Sequence, residues 1–280
     1  MYTFRDIAAS DAIFIKTREK FKTELDDFKK YAQMMTDEAG KAKTKSGKAS
    51  SYTRYLIRLI IFNSEVNDIE INSLSSFESL KKIEKIKFSN DFKLFNEQAN
   101  HFYSATLSCY LAYVIYSNSA DEEVRDRQFN DSLNDKINII EEDNSYLLTE
   151  ANTKPSRSKM SDLYVYPRNY MESLEAKERG NWVCEFNQLH KTFINIKNDK
   201  PYVEAHHLIP MAAQDYYENT IDFADNIVCL CPTCHSRIHH AIQSEKKEMI
   251  VELFKKRESL YSTHGIQIDM KLLLSFYGIL

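Results

Sequence analysis

The ten residues 231–240, CPTCHSRIHH, carry two cysteines and three histidines, more metal donors than one tetrahedral ion can take. Cys231 and Cys234 form a C-x-x-C turn, which presents two thiolates to one metal and supplies half of a tetrahedral site. His235 and His239 are spaced i and i+4, so on a helix they lie one turn apart on the same face. The stretch therefore predicts that its cysteines and its helical histidines belong to two separate sites.

The second half of the cysteine site has to come from another part of the chain, because the sequence contains no second C-x-x-C pair. The available pair is Cys184 and His190, spaced C-x5-H. Together with the C-x-x-C cysteines they predict a Cys3His site, an ordinary donor set for structural zinc. The alternative, in which Cys184 is a buried thiol and His190 a surface histidine, remains open at this point.

A second set of donors lies between these two halves. YVEAHHLIP at 202–210 predicts a short strand that ends in His206 and His207. Neighbours on a strand point to opposite faces, so one metal ion is not expected to take both. DNIVCLC at 225–231 predicts a second strand that leads into the C-x-x-C turn. Two strands and a helix thus bring one of these histidines towards the helical histidine pair.

The segments EAHHLIP and DNIVCLCPTCHSRIH, in this order, resemble the HNH, or ββα-metal, nuclease motif over about residues 184–240. Residues 168–193 and the tail to residue 280 look similar to the nuclease half of bacterial HNH restriction-type endonucleases. The N-terminal half resembles no family that we name. The resemblance implies a phosphodiester hydrolase.

The resemblance also implies roles for individual residues. His206 corresponds to the first metal ligand and His207 to the general base. Asn226 is the central asparagine, which holds the loop between the strands and helps to orient the base. His235 and His239 correspond to the ligands on the helix. One departure is that HNH zinc sites usually have two C-x-x-C pairs, of which this chain has one.

The implied chemistry suits these residue types. A neutral imidazole, with an ordinary pKa of about 6.5, can take a proton from water at cellular pH. A divalent ion with open positions for phosphate can stabilise both the transition-state charge and the leaving group. The resemblance implies Mg²⁺ or Mn²⁺, but an all-imidazole ligand set also suits softer ions.

Several nearby side chains have no assigned place in the motif. Arg237 is a candidate phosphate clamp or, equally, a surface arginine. Glu204 precedes His206 by two residues on the same strand face, so it is either a partner of that imidazole or an exposed glutamate. His240 and His264 are expected at the surface, and Cys229 in the core.

The composition bounds the architecture around these motifs. Only five Gly and five Pro occur in 280 residues, which favours helices over a turn-rich all-β fold. We expect a mainly α (α+β) protein with an N-terminal helical domain over 1–145 for target recognition or partner binding. A basic linker over 146–168 would precede a C-terminal ββα-metal nuclease domain over 169–280, with a helical tail.

Helical spacing of apolar residues predicts the individual helices. The segment 99–116 is apolar all round and is expected to be the central helix of the N-terminal half. The lysine-rich segment 38–51 is expected to be an exposed loop. The other predicted helices cover 10–36, 50–62, 75–87, 168–179 and 245–262, with a last short helix capped by Asp269.

Charge, cysteine usage and hydropathy limit the functional classes. The net charge of −4 counts against a strongly basic, nonspecific nucleic-acid binder. Four of the five cysteines lie between 184 and 234, which suggests metal binding rather than disulfides. We see neither an apolar run of membrane-spanning length nor a signal peptide, so we expect a cytoplasmic protein without a membrane partner.

These inferences converge on a metal-dependent DNA endonuclease of restriction or defence type that contains structural Zn²⁺. Its partner would be double-stranded DNA, and a homodimer is the simplest way to cut both strands with one site per chain. Two alternatives stay open. One is a zinc-stabilised nucleic-acid-binding module without catalysis, and the other is an HNH nuclease that acts on RNA or structured DNA.

Overall fold

A computed structural model describes residues 4–38, 47–67, 70–119, 121–140, 147–160 and 163–279. The described chain is mostly helical, as expected, and has two antiparallel two-stranded sheets. It divides into two compact units. Unit 1 comprises Met1–Asn118 together with Ser275–Leu280, and unit 2 comprises Ser119–Leu274.

Unit 1 is a helical bundle around one apolar helix. This helix, α6, buries residues on every side, including Tyr103, Leu107, Tyr110 and Val114, and so confirms the expected central helix. The α-helices described between residues 4 and 118 are α1 (Ala12–Lys20), α2 (Lys22–Glu38), α3 (Lys48–Asn67), α4 (Phe77–Glu84), α5 (Asn90–Gln98) and α6 (Phe102–Asn118).

The helices of unit 1 differ from the predicted ones in two places. The single helix predicted over 10–36 is broken at buried Phe21, whose backbone angles (φ −111°, ψ 24°) leave the helical region between α1 and α2. Helix α5 was not predicted, because it is short and carries only one buried residue, Phe92. Most of the predicted loop over 38–51 lies outside the described residues.

Unit 2 carries both sheets. Strands β3 and β4 pair with His206 opposite Val228 and His207 opposite Ile227. The elements are α7 (Glu122–Ile140), β1 (Ser158–Met160), β2 (Leu163–Val165), α8 (Tyr170–Arg179), β3 (Glu204–His207), β4 (Ile227–Leu230), α9 (Pro232–His240), α10 (Gln243–Lys255) and α11 (Met270–Phe276). The last two residues of α11, Ser275 and Phe276, are assigned to unit 1.

The division between the units lies earlier in the chain than the expected boundary at 145. Helix α7 packs on β3 and α8, so it belongs to unit 2 with the motif residues, and the division falls after Asn118. This helix was not predicted from the sequence. Its residues are mostly polar, so its apolar stripe is thin.

The segment 146–168 was expected to be a basic linker, but its described residues contain the β1–β2 hairpin. Three of its cations make polar contacts within unit 2. The Lys154 ammonium donates to the Tyr217 carbonyl oxygen at 2.5 Å, Arg157 pairs with Asp215, and Arg168 is buried. Two of the four cations of this segment are therefore paired with carboxylates, while Lys154 donates to backbone carbonyls and Lys159 is exposed. None of the described helices is both long and apolar enough to cross a membrane.

Candidate metal centres and active site

The start of α9 places the donors of both metal centres. Cys231 is the N-cap of this helix, and its sulfur accepts a hydrogen bond from the Cys234 backbone N–H at 3.4 Å. Pro232 occupies the first turn, where its fixed φ suits a helix and its missing N–H costs nothing. The C-x-x-C turn is thus also the start of the helix that carries His235 and His239.

The first centre combines Cys184, His190, Cys231 and Cys234, whose donor atoms all lie within 4.8 Å of one another. The His190 Nδ1 atom lies 3.3 Å from the Cys234 sulfur and 3.6 Å from the Cys231 sulfur. Ligands of a tetrahedral zinc ion at ordinary bond lengths have sulfur and nitrogen about 3.5 Å apart. The Cys3His set predicted from the sequence is therefore assembled with spacing that suits zinc.

The loop that carries Cys184 is tied to the edge of β4. Glu185 donates its backbone N–H to the Cys229 carbonyl oxygen at 2.9 Å, and its carboxylate accepts from the Cys229 N–H at 2.8 Å. Arg257 pairs with the same carboxylate. Cys229 itself is fully buried in the core, as expected. This strand-edge pairing brings Cys184 next to the C-x-x-C turn.

The second centre contains the three predicted histidine ligands and one carboxylate, Asp126. His206 comes from β3, whereas His235 and His239 come from α9. Their ring centroids are 4.9–5.2 Å apart. The Asp126 Oδ2 atom lies 3.1 Å from His206 Nδ1, 3.3 Å from His235 Nε2 and 3.5 Å from His239 Nε2.

The donor set of this second centre fits a divalent cation. Apart from Asp126 Oδ2 at 3.5 Å, the buried His239 Nε2 atom has no hydrogen-bond partner within the described part of the chain, as expected of a ligand whose lone pair is meant for a metal. Burial lowers the pKa of His206 to about 3, which keeps that imidazole in its neutral, metal-binding form. Three imidazoles and a carboxylate suit Zn²⁺, Mn²⁺ and similar ions.

The carboxylates around His235 make the centre attractive to positive charge. Glu204 Oε2 lies 2.6 Å from His235 Nδ1. Burial alone would lower the pKa of His235, but Asp126 and Glu204 outweigh it and raise that pKa to about 9. Glu204 is therefore the partner of His235, and matches neither of the two alternatives left open by the sequence, a partner of His206 or an exposed glutamate. Strand pairing and α9 packing decide which histidine it meets.

Asp126 is held in place by a buried arginine. One guanidinium nitrogen of Arg168 pairs with Asp126 Oδ1, and another lies 3.3 Å from Glu122 Oε1. Burial alone would raise the pKa of Asp126, but Arg168 and the three imidazoles hold it well below its usual range. Arg168 thus leaves Oδ2 facing the histidines as a full negative charge.

His207 points away from this centre, as the alternation along a strand requires. Its Nε2 atom lies 2.8 Å from Asp222 Oδ1, and both side chains are buried. The other Asp222 oxygen accepts the backbone N–H of Asn169 at 2.5 Å. The candidate base therefore has an acidic partner that sets its ring orientation, although His206 and His207 are adjacent in sequence.

Asn226 pins the loop between β3 and β4. Its side-chain amide donates to the carbonyl oxygens of Ile209 at 3.1 Å and Ile221 at 2.7 Å. Its oxygen accepts from the Ile209 N–H at 2.8 Å and the Tyr261 hydroxyl at 3.1 Å. Its catalytic role remains a prediction, but these contacts are those of a residue that fixes a loop.

Three further side chains lie outside both centres. The Arg237 guanidinium pairs with Glu245 at 3.0 Å and with Glu248 at 3.6 Å, a placement that fits a surface arginine better than a phosphate clamp. His240 is exposed and pairs with Glu123. His264 was expected at the surface, but it is buried, stacked 3.8 Å from the Phe223 ring.

Sequence reasoning missed Asp126, Asp222 and Arg168. Asp126 is separated from His206 by 80 residues and lies on a helix that was not predicted. Asp222 lies 15 residues from His207 in the loop between the strands, and Arg168 had been read as part of a basic linker. A single carboxylate or arginine at such a distance has no local spacing signal, so folding alone reveals these contacts.

Comparison with known proteins agrees with this geometry. Residues 184–241 match the family described as HNH endonuclease. The chain is also 31% identical over 90 residues to the type IV methyl-directed restriction enzyme EcoKMcrA of Escherichia coli (strain K12), a match that covers 32% of this chain and 30% of the relative. No solved structure matches. The chain therefore carries an HNH endonuclease domain at residues 184–241. This segment contains the Cys3His set, the three histidines of the second candidate centre and the candidate base His207.

Proposed function

We propose that this protein is a metal-dependent DNA endonuclease of restriction type that hydrolyses phosphodiester bonds in double-stranded DNA. The observation that carries the proposal is the arrangement on β3, where a histidine of a three-imidazole cation site is followed directly by a histidine held by a carboxylate. A purely structural zinc module needs only the Cys3His set. The second set of donors and the His207–Asp222 pair have a use in hydrolysis.

In this proposal each side chain has one task. His207 accepts the proton of the attacking water, and Asp222 fixes the orientation of its ring. Asn226 holds the loop in which Asp222 lies. His206, His235 and His239 hold the divalent ion, which supplies stabilisation of negative charge on the phosphate and on the leaving oxygen.

The two centres would hold different ions. Cys184, His190, Cys231 and Cys234 would hold structural Zn²⁺, because thiolates select it. The histidine centre would hold Mg²⁺ or Mn²⁺ as the resemblance implies, and its imidazoles also admit softer ions.

The remaining parts of the proposal concern the whole protein. Unit 1 would recognise the target or a partner, the active form would be a homodimer, and the compartment would be the cytoplasm. The chain spans less than a third of the length of its restriction-enzyme relative. Since the name of that relative describes methyl-directed restriction, methylated DNA is the first substrate to try.

The test is digestion of methylated and unmethylated plasmid with Mg²⁺, Mn²⁺, Co²⁺, Ni²⁺ or Zn²⁺, each with and without EDTA. The wild type is expected to cut in at least one ion and to stop with EDTA. His207→Ala should abolish cleavage, whereas His101→Ala, at an exposed histidine of unit 1, should cleave normally. Intact plasmid in every ion, with DNA still bound, would support the non-catalytic binding module. Cleavage confined to RNA or branched DNA would change the substrate.

A further inference from the structure

The Asp126 carboxylate completes the histidine centre as a fourth donor from outside the HNH motif. Its Oδ2 atom lies 3.1–3.5 Å from one nitrogen of each of the three histidines. Two ligands of a tetrahedral ion at ordinary nitrogen and oxygen bond lengths lie about 3.3 Å apart. The three distances are therefore compatible with a shared ion as well as with direct hydrogen bonds. Asp126 belongs to helix α7, more than 40 residues before the matched segment.

For an ion with tetrahedral coordination, such as Zn²⁺, a set of four protein donors is a closed site. Catalytic sites keep a position open for water or substrate, whereas closed sites serve structure. Burial points the same way, because His206, His207 and His235 are only 1–2% exposed and Asp126 is fully buried. His239 is the most accessible of the four donors, with 14% of its side chain exposed. The structure thus shows a centre whose donors are almost entirely withdrawn from solvent.

Helix α7 is fastened to its neighbours by polar contacts as well as by the stacking of Phe129 on Tyr170 and the burial of Leu133. The Asn130 amide bonds both the N–H and the carbonyl oxygen of Ala205, at 2.8 and 3.0 Å, along the edge of β3. Glu122 accepts the N–H groups of Met211 and Ala212 at 2.8 and 3.2 Å. Each of these hydrogen bonds can be exchanged for one to water or phosphate at modest net cost, whereas the packing of Phe129 and Leu133 opposes release of α7.

We propose that Asp126 binds the ion of the histidine centre in the resting protein and occupies the place that the scissile phosphate must take. A phosphodiester oxygen and a carboxylate oxygen are both anionic acceptors, so they compete for one position facing the three imidazoles. Cleavage then requires α7 to withdraw, which makes the helix an intramolecular inhibitor of its own active site. This inference rests on the proposed nuclease function.

The first part of the proposal, that Asp126 is a ligand of the ion, is tested without DNA. Wild type, Asp126→Asn and Asp126→Ala are titrated with Co²⁺ and followed by visible absorption, with zinc content and circular dichroism as checks of folding. The matched control is Asp131→Asn, an exposed acid on the same helix. The Asp126 variants should bind Co²⁺ at least about tenfold more weakly, with a changed spectrum, since loss of even an outer partner of a ligand costs about 10–100-fold. Unchanged affinity and spectrum would overturn the proposal.

The second part of the proposal, that Asp126 competes with a DNA phosphate, is tested by adding a short DNA duplex to the Co²⁺-loaded proteins. The duplex should perturb the spectrum of Asp126→Asn at a concentration at least about fivefold lower than in the wild type, the lower end of usual coupling between sites. Cleavage at saturating metal should rise in the same variant. If the duplex perturbs wild type and variant at equal concentrations, or cleavage falls in the variant, Asp126 is a permanent ligand and the proposal is wrong.

These results separate the inference from the proposed function. A wild type and variants that cut no nucleic acid in any ion would defeat the nuclease proposal. The Co²⁺ and duplex titrations would still decide whether Asp126 is a ligand and whether DNA competes with it, since neither readout depends on cleavage.

Discussion

The Nε2 atom of His207 lies 2.8 Å from Oδ1 of Asp222, and the two side chains are 2% and 5% exposed. A buried carboxylate that accepts from one imidazole nitrogen keeps the proton there and leaves the other nitrogen as the base. Asp222 also accepts the backbone N–H of Asn169, at the start of α8. The orientation of the candidate base is therefore fixed by the loop between β3 and β4 and by α8.

Replacement of this carboxylate by an amide tests its role as a positioning residue. Asp222→Asn should lower kcat for DNA cleavage about 10²-fold, within the range that a general base contributes, because an amide no longer selects one tautomer of the ring. KM and Co²⁺ affinity should stay unchanged, since Asp222 lies outside the cation centre. A variant whose kcat is normal, or whose defect is only a weaker Co²⁺ affinity, would contradict this role.

The Cys3His centre should be needed for folding of unit 2. Cys184→Ser is expected to lose one equivalent of zinc per chain by elemental analysis. If the loss of stability is about 3 kcal/mol, Tm should fall by about 6–12 °C, the scale for a domain of this size. Cys109→Ser is the control, because Cys109 lies on α6 of unit 1 and outside both centres. Equal zinc content in the two variants would argue against the Cys3His assignment.

The hydrogen bonds by which Asn226 holds the loop between β3 and β4 should be lost when its amide nitrogen is replaced by oxygen. Asn226→Asp replaces a donor by a second acceptor that faces the carbonyl oxygens of Ile209 and Ile221. We expect the free energy of unfolding in urea to fall by about 2–4 kcal/mol, since two buried acceptors lose their donor. Tyr261→Phe removes only one hydrogen bond to the same side chain and should cost about 1 kcal/mol. Equal losses of unfolding free energy in both variants would show that the two hydrogen bonds donated by the Asn226 amide do not dominate its contribution to stability.

Buried Lys177 should be a site where an apolar residue stabilises the protein. Its ammonium has no hydrogen-bond partner among the described residues, and burial lowers its pKa to about 8. Lys177→Met should raise the free energy of unfolding at pH 7 by about 1–3 kcal/mol, whereas Lys255→Met, at an exposed position on α10, should change it little. Denaturation in urea measures both differences.

The pH dependence of this gain follows from the direction of the pKa shift. Because the folded-state pKa of Lys177 lies below the value of 10.5 for an unperturbed lysine, the unfolded chain keeps its proton to higher pH. Between about pH 8 and 10.5 the wild type therefore becomes more stable relative to Lys177→Met as pH rises. The advantage of the variant should shrink across this window. A constant difference from pH 7 to 10.5 would mean that the ammonium is solvated.

The local parts of both centres follow from spacing in the sequence. A C-x-x-C turn needs only four residues to present two thiolates, and two histidines one helical turn apart face the same way wherever the helix packs. Strand alternation likewise separates His206 from His207 before any tertiary contact is known. These relationships are fixed by backbone geometry over a few residues, so the donor sets, the HNH resemblance and the mainly helical class were all predictable.

What surrounds those donors was decided by the tertiary structure. Helix α7 supplies Asp126 to a centre whose other ligands lie 80–113 residues further along the chain, and Glu204 pairs with His235 instead of the histidine two residues away. Such contacts depend on which helix packs over β3, and packing is determined by burial and shape across the whole unit. The sequence by itself predicted the cysteine and histidine donors of the two candidate centres. The fold alone brought Asp126, a carboxylate from a distant helix, to the three histidines.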